Sequence, residues 1–192
     1  MIEDDVALDA LKALSGPTLQ YLAAIATVPH EPGLYVLYGD ERAWSELGLS
    51  VTAGHQPLYV GKSEGSLNSR DVRTHFAAGG TGSSTVRRSL AALLKEQLSL
   101  VPVPRNLVKP DDSANFGLEA TSETRLSDWM SQRLSLATWT APHGAVLGDV
   151  ETVIIRHLRP PLNLDKVGEP RKRLRAARKR MADLARAWRP AE

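Results

Sequence analysis

The sequence of 192 residues contains no cysteine. This absence excludes disulfide bonds, zinc sites built on thiolates and a cysteine nucleophile. The sequence also lacks any uninterrupted apolar run that approaches the length of a membrane span. Its acidic start, MIEDD, does not resemble a signal peptide. We therefore expect a soluble, cytoplasmic protein that has no membrane partner.

The charges are distributed unevenly along the chain. Residues 169–192 hold nine Lys and Arg against three Asp and Glu, whereas the remainder holds 15 basic against 19 acidic residues. A basic segment of this kind favours a polyanionic partner such as DNA. A solvated helix face would explain the same charges equally well.

The length suits one ordinary domain with a helical extension. The periodicity predicts an N-terminal helical segment at 1–28, a core at 29–165 and a basic amphipathic C-terminal helix at 166–192. Residues 4–26 are expected to form two helical pieces, with Pro17 in the first turn of the second. The last helix is predicted to span 171–189, with Leu174 and Met181 on its apolar stripe.

Two short apolar runs bounded by Pro and Gly predict strands at 33–38 and 57–61. Paired as a hairpin, these strands would set Tyr35 beside Tyr59. The polar insertion between them, residues 39–56, is expected to contain a short helix near Trp44. Further strands are predicted at 115–118 and 134–140, and further helices at 121–133 and 150–158.

The segment between the hairpin and residue 99 carries most of the cationic candidates. Residues 67–77 predict a helix that bears Arg70, Arg73 and His75. A second helix is predicted to begin at Ser83 or Ser84, with Arg87 and Arg88 in its first turns. Because the helix dipole disfavours cations there, both arginines are candidates for binding an external anion. Two solvated arginines are equally consistent with the pattern.

Together these residue types are typical of chemistry on a phosphodiester. Arginine can hold the phosphate, tyrosine or histidine can accept a proton from water, and a single carboxylate such as Glu151 can hold a hydrated Mg²⁺. Each residue also has an ordinary explanation, since strand tyrosines usually pack and Glu151 lies near a helix N-terminus. The order of the motifs along the chain is more specific than any single residue.

That order resembles the GIY-YIG nuclease superfamily over residues 32–165. The resemblance lies in Gly33-Leu34-Tyr35, Tyr59-Val60-Gly61, Arg70 with His75, and Glu151 followed by Pro161-Leu162-Asn163. It implies a small α/β (α+β) domain with a three-stranded antiparallel sheet flanked by helices. It further implies a metal-dependent endonuclease that cuts DNA with one Mg²⁺ or Mn²⁺ ion.

The resemblance also implies a catalytic role for each matched residue. Tyr35 or Tyr59 would act as the general base or assist it, and the sequence does not decide between them. Arg70 would stabilise the scissile phosphate, and His75 would relay a proton or contact phosphate. Since Arg70 and His75 are five residues apart, a local bulge is needed, or Arg73 shares the role of Arg70.

The remaining matched residues complete the implied site. Glu151 would be the only protein ligand of the metal, and Asn163 would brace the site. Gly33 and Gly61 would let the strands approach closely, and Lys62 would contact phosphate. Additional DNA contacts are expected from helix starts and from the basic tail, namely Arg73, Ser84, Arg87, Arg88, Arg171, Arg175 and Arg178.

Two other functions are compatible with parts of the sequence. A nucleic-acid-binding module could keep the same fold without cutting. A helical interaction protein could use the basic tail to grip an acidic partner, but this function leaves the tyrosine motifs unexplained. The biological setting, the sequence preference, the choice between nicking and double-strand cutting, and the oligomeric state are all left open.

Overall fold

The computed structural model describes residues 2–20, 23, 27–51, 54–68, 80–106 and 115–190. In these residues the chain forms six helices and six strands, with a short 3-10 turn at Thr81–Ser83. The helices are α1 (Ile2–Leu14), α2 (Glu41–Glu46), α3 (Thr85–Leu94), α4 (Ala120–Arg133), α5 (Leu147–Leu158) and α6 (Lys172–Ala187). The strands are β1 (Leu19–Gln20), β2 (Gly33–Gly39), β3 (Tyr59–Ser63), β4 (Pro102–Pro104), β5 (Phe116–Leu118) and β6 (Leu134–Thr140).

The main sheet is antiparallel and has four strands in the order β1-β6-β2-β3, while β4 and β5 form a separate pair. The expected α+β architecture is therefore confirmed, but the expected number of three strands is wrong. The additional strand is β1, where Leu19 pairs with Leu136 at the edge of the sheet. The sequence there predicts a second helical piece, because two residues are too few to display a strand periodicity.

Strand β2 lies in the middle of the sheet and is buried on both faces. Leu34 and Val36 face a core that includes residues of α1 and α5. Tyr35 and Leu37 face a second core, to which α2, α3, α4 and α6 contribute. Side chains alternate between the faces of a strand, so consecutive residues of β2 belong to different cores.

Helix α6 packs against the domain through its apolar stripe. Leu174, Ala177 and Met181 are buried in the same core as Tyr35. Near its first turn, Arg173 donates to the carbonyl of Leu47 at 3.0 Å and to that of Gly48. The apolar face of α6 is therefore part of the core, while most of its basic residues are exposed.

Several predicted helices appear close to their expected bounds. Ser84 caps α3, since its hydroxyl accepts a hydrogen bond from the backbone N–H of Arg87 at 3.2 Å. The helix predicted at 67–77 lies largely outside the residues that the structure describes. Among the described residues, no helix combines the length and apolar character needed to cross a membrane.

Candidate active site

The two motif tyrosines lie side by side on adjacent strands. In the β2–β3 register Tyr35 stands opposite Gly61 and Leu37 opposite Tyr59, so both tyrosines project from the same face. Their ring centroids are 6.2 Å apart, and the rings are tilted by 44°. A side-chain hydrogen bond joins Tyr35 and Tyr59. The hairpin thus brings two phenols into one cluster.

The glycines of both motifs are sites of close packing. A Cβ atom on Gly61 would overlap the Cζ and hydroxyl of Tyr35, because the Tyr35 ring lies across the neighbouring strand at this position. A Cβ on Gly33 would overlap the carbonyl of Trp139 and come within 2.8 Å of Leu67. Neither glycine can accept a side chain without displacing a neighbour.

The hydroxyl of Tyr59 holds its proton strongly in the free protein. Burial, and secondarily the charge of Glu151, raise the pKa of Tyr59 to about 12. The hydrogen bond from Tyr35 and the charges of Arg178 and Arg88 oppose this shift but do not overcome it. At neutral pH Tyr59 is therefore a phenol, although it is surrounded by charged groups.

Glu151 lies in the first turns of α5 and is close enough to Tyr59 and Lys62 to influence the pKa of both side chains. Its Oε2 atom accepts from the Nζ of Lys166 at 2.6 Å, and the Glu151 side chain is only 12% exposed. Lys166 also donates to the carbonyl of Gly148 at 3.2 Å. Nothing in the sequence distinguishes Lys166 from other surface lysines, so its contact with the candidate metal ligand was not predicted.

Lys62 follows the second motif and lies on the same side of the site. Its Nζ donates to Oε1 of Glu64 at 2.5 Å. That hydrogen bond, the charge of Glu64 and the charge of Glu151 raise the pKa of Lys62. A Cβ built on Gly148 would lie 3.9 Å from this ammonium group. Lys62 and Lys166 therefore both approach the first turn of α5.

Asn163 supports strand β3 from its outer edge. Its Oδ1 accepts from the N–H of Val60 at 2.9 Å, and its Nδ2 donates to the Val60 carbonyl at 2.8 Å. The preceding residue, Leu162, donates its N–H to the carbonyl of Leu58 at 3.0 Å. The chain after Pro160 and Pro161 thus satisfies polar groups next to Tyr59 that an edge strand would otherwise leave unpaired.

Two arginines approach Tyr59 from separate helices. Arg88 comes from α3 and Arg178 from α6, and the charge of each lowers the pKa of Tyr59. Burial lowers the pKa of Arg88 to about 10, with contributions from Arg178 and Arg105, so the guanidinium is still charged at neutral pH. Among the described residues, the arginine charge near Tyr59 therefore comes from both α3 and α6.

Ser84 and Arg87, which the sequence predicts as DNA contacts, are both fully buried, so neither side chain presents a surface to DNA in this structure. Arg87 forms an internal ion pair with Glu123, with an Nη2 to Oε2 distance of 2.7 Å, and its Nε donates to the hydroxyl of Thr81 at 3.1 Å. The sequence gives no local signal for this pairing, because the two residues are 36 positions apart.

Arg171 and Arg175 differ in how much of each side chain is exposed to solvent. Arg171 donates to the carbonyls of Arg159 and Pro160, at 3.2 Å each, and its side chain is 18% exposed. These hydrogen bonds join the start of α6 to the residues that follow α5, and the DNA contact of Arg171 stays a prediction. Arg175 contacts the Leu164 carbonyl at 2.8 Å but keeps 52% of its side chain exposed.

Three of the predicted site residues, Arg70, Arg73 and His75, lie outside the residues that the structure describes. Their predicted roles, and the choice between Arg70 and Arg73, stay predictions. The described part of the site comprises the tyrosine pair, Lys62, Glu151 and Asn163, together with the two arginines near Tyr59.

The donor set around Glu151 can be compared with the needs of a divalent cation. The described residues contain no group of three or more His, Cys, Asp or Glu that could form an all-protein cage. A single carboxylate suits Mg²⁺, which retains several waters and takes further ligands from a phosphate. Because Oε2 of Glu151 already pairs with Lys166, a cation bound to that oxygen would compete with the ammonium group.

Comparison with known proteins identifies a family for the chain. A family model described as the GIY-YIG catalytic domain matches residues 34–180, about three quarters of the chain. The match covers both tyrosines, Glu151, Asn163 and the first half of α6. No curated protein and no solved structure matches the chain significantly. On the extent of the family match, the chain belongs to the GIY-YIG catalytic domain family.

Proposed function

We propose that the protein is a metal-dependent DNA endonuclease that hydrolyses phosphodiester bonds. The observation that carries this proposal is the proximity of Tyr35, Tyr59 and Glu151. Membership of a family of catalytic domains adds support. DNA is the proposed partner, Mg²⁺ or Mn²⁺ is the proposed cofactor, and the cytoplasm is the proposed location of the protein.

In the proposed mechanism the tyrosine pair handles the proton of the attacking water. Tyr59 is protonated in the free protein and hydrogen-bonded to Tyr35, so the pair can orient a water by donating and accepting hydrogen bonds. Which of the two phenols finally takes the proton stays open. Arg70 or Arg73, with His75, is proposed to hold the scissile phosphate.

Glu151 is proposed to hold the metal ion, and Asn163 to keep β3 and hence Tyr59 in position. When bound, a divalent cation would stabilise charge on the leaving oxygen and offset the effect by which Glu151 raises the pKa of Tyr59. Lys62, Arg88, Arg175 and Arg178 are proposed as contacts to DNA phosphates, which give affinity and salt dependence with little sequence preference.

Cleavage of supercoiled plasmid in the presence of Mg²⁺ or Mn²⁺ tests the proposal. We expect the wild-type protein to nick or linearise the plasmid, and Glu151→Gln to be slower by roughly a hundredfold or more because the metal ligand is lost. Asp149→Asn is the matched control, since Asp149 is an exposed acid in the same helical turn. If Glu151→Gln cuts as fast as the wild type, the proposed metal ligand is wrong.

A binding module without nuclease activity is the second candidate. The observation that favours it is the ion pair of Lys166 with Glu151, which occupies the carboxylate that a metal would need. This candidate predicts that the protein binds DNA with the same affinity in Mg²⁺ and in EDTA and leaves every substrate intact. Plasmid, branched and single-stranded substrates, assayed with both metals, distinguish the two candidates.

A further inference from the structure

Arg88 is a buried cation whose guanidinium is incompletely satisfied. The residue is only 7% exposed. Its Nη1 donates to the carbonyl of Gly82 at 2.6 Å and its Nη2 to the Thr85 hydroxyl at 3.4 Å. Its Nε has no hydrogen-bond partner in the described part of the chain. Burial of a charge without an ion-pair partner is costly, so an external anion would stabilise this arrangement.

The neighbouring residue Arg87 provides an internal comparison. Arg87 is fully buried, but Glu123 pairs with it at 2.7 Å. The nearest described acids act on the neighbours of Arg88 and not on Arg88 itself: Glu151 acts on Tyr59, and Asp165 acts on Arg178 and pairs with Arg175. No ion pair to Arg88 itself occurs among the described residues. Consecutive arginines of α3 thus have opposite environments.

Arg178 supplies a second unsatisfied donor from α6. Its Nη1 atom is buried and has no partner among the described residues. Helices α3 and α6 pack together, with Leu90 and Ala177 in the same core, so the two arginines are held on rigid elements. Burial is the main cause that lowers the pKa of each arginine, and the charge of Arg178 lowers that of Arg88 further. The protein therefore keeps two like charges close together.

We propose that Arg88 and Arg178 form an anion subsite that binds a phosphate group of a nucleic acid strand beside Tyr59. The unsatisfied atoms, Nε of Arg88 and Nη1 of Arg178, are buried in this structure, so the two guanidinium groups must turn towards a phosphate to reach it; its oxygens could then accept from both at once. Arg105, which is exposed and contributes to the electrostatic environment of Arg88, adds positive charge at the rim. The subsite makes α6 part of the proposed active site, since one of the two arginines that bind the phosphate lies on α3 and the other on α6.

This proposal rests on the proposed function only for the source of the phosphate. A strand that passes over the tyrosine pair would be held at a second phosphate, away from the one being cut. Inorganic phosphate carries the same chemistry and can occupy the subsite without any DNA. The two sources therefore provide separate tests.

The first test follows the Nε–H resonance of Arg88 by ¹⁵N NMR during titration with inorganic phosphate. The resonance is assigned by its loss in Arg88→Lys. We expect saturable movement in the wild type and at least tenfold weaker binding in Arg178→Gln. Arg180→Gln is the matched control, because Arg180 is an exposed residue of the same helix. An unmoved resonance, or equal binding by the Arg178 and Arg180 variants, would overturn the subsite.

The second test measures binding of a fluorescent oligonucleotide in EDTA, so that cleavage does not contribute. Arg178→Gln should bind roughly ten- to a hundredfold more weakly, with a salt slope smaller by about 0.9, as expected for one lost phosphate contact. Arg178→Lys, which retains the positive charge but loses the forked guanidinium, should bind the oligonucleotide with an affinity between those of the wild type and Arg178→Gln. Circular dichroism and thermal unfolding establish that each variant is folded.

The outcomes separate the subsite from the nuclease proposal. If the wild type cuts no DNA but phosphate still moves the Arg88 resonance and Arg178→Gln abolishes this effect, the subsite stands and the nuclease proposal fails. If the wild type cuts DNA while Arg178→Gln and Arg180→Gln bind oligonucleotide equally, the nuclease proposal stands and the subsite is wrong.

Discussion

Asn163 pairs with both backbone polar groups of Val60, at 2.9 Å and 2.8 Å, from a position 103 residues later in the sequence. The Asn163 side chain therefore makes the two hydrogen bonds at the outer edge of β3 that the backbone of a neighbouring strand would otherwise make. Since Tyr59 is the residue before Val60, this pairing fixes the backbone that carries one of the two phenols.

Asn163→Ala should lower both stability and activity. The substitution leaves the N–H and carbonyl of Val60 without their partners, and we expect the free energy of unfolding to fall by about 1–3 kcal/mol. Urea denaturation measures this change. Asn163→Asp, which would place a carboxylate oxygen against the Val60 carbonyl and bury a charge, should lower stability at least as much as Asn163→Ala at neutral pH, and an unchanged unfolding midpoint in both variants would show that the pairing contributes nothing.

Gly61→Ala should disturb Tyr35 directly. The added methyl group would overlap the Tyr35 ring, so we expect a loss of about 1–3 kcal/mol in stability and a displaced ring. Thermal unfolding and tyrosine NMR shifts report the two effects. Gly65→Ala is the control, because no atom lies within 4 Å of a Cβ built there. Equal stability of the two variants would contradict the packing argument.

The pKa of Tyr59 should respond to its charged neighbours with predictable sign. Removal of the Glu151 charge in Glu151→Gln should lower this pKa from about 12, whereas Arg178→Gln should raise it further. Titration of ¹³Cζ-labelled tyrosine by NMR follows each phenol separately. Asp149→Asn should leave the value unchanged, and a rise in Glu151→Gln would mean that Glu151 does not act on Tyr59 as inferred.

Lys166→Ala should strengthen binding of a divalent cation at Glu151. The ammonium group pairs with Oε2 at 2.6 Å, but it is 35% exposed, so its competition is modest. We expect Mn²⁺ affinity to rise by roughly two- to fivefold, in line with the energy of a partly exposed ion pair. Electron paramagnetic resonance of free Mn²⁺ measures the change, with Lys172→Ala as an exposed control. Weaker Mn²⁺ binding in Lys166→Ala would instead make Lys166 a supporting residue of the site.

Glu123→Gln should be among the most destabilising single substitutions. It leaves the buried guanidinium of Arg87 without its counter-charge, which costs about 3–5 kcal/mol. Glu96→Gln provides the comparison, since the Lys95–Glu96 pair is exposed and should contribute little. Chemical denaturation of both variants decides the matter, and similar midpoints would mean that the Arg87–Glu123 pair has no special role.

Sequence periodicity predicts the long elements of this fold well. Strand β6 is found at the predicted residues 134–140, because alternation over seven residues gives a clear signal. Strand β1 is missed because it has two residues and is defined only by its pairing with β6. The local sequence pattern is therefore sufficient to predict a long element, but it does not predict a short strand that is defined only by its pairing with another strand.

The candidate site is predictable to a similar extent and for the same reason. Tyr35 and Tyr59 can be paired from sequence because a hairpin is local and its register follows from alternation. The different environments of Arg87 and Arg88 depend on Glu123 and on α6, which are distant in sequence. A run of two arginines carries no information about which one is neutralised inside the fold.

The hydrogen bond from the N–H of Leu58 to the carbonyl of Leu37, at 2.7 Å, joins the chain just before β3 to β2. The register of Tyr35 against Tyr59 is set within the two strands that this bond joins. In the connection that precedes it, α2 is packed in the core, but the part between α2 and β3 can gain or lose residues at small entropic cost, because loop closure depends only weakly on length. Insertions between the two motifs should thus be common among related proteins, whereas a one-residue deletion within β2 would turn Tyr35 towards the opposite face of the sheet.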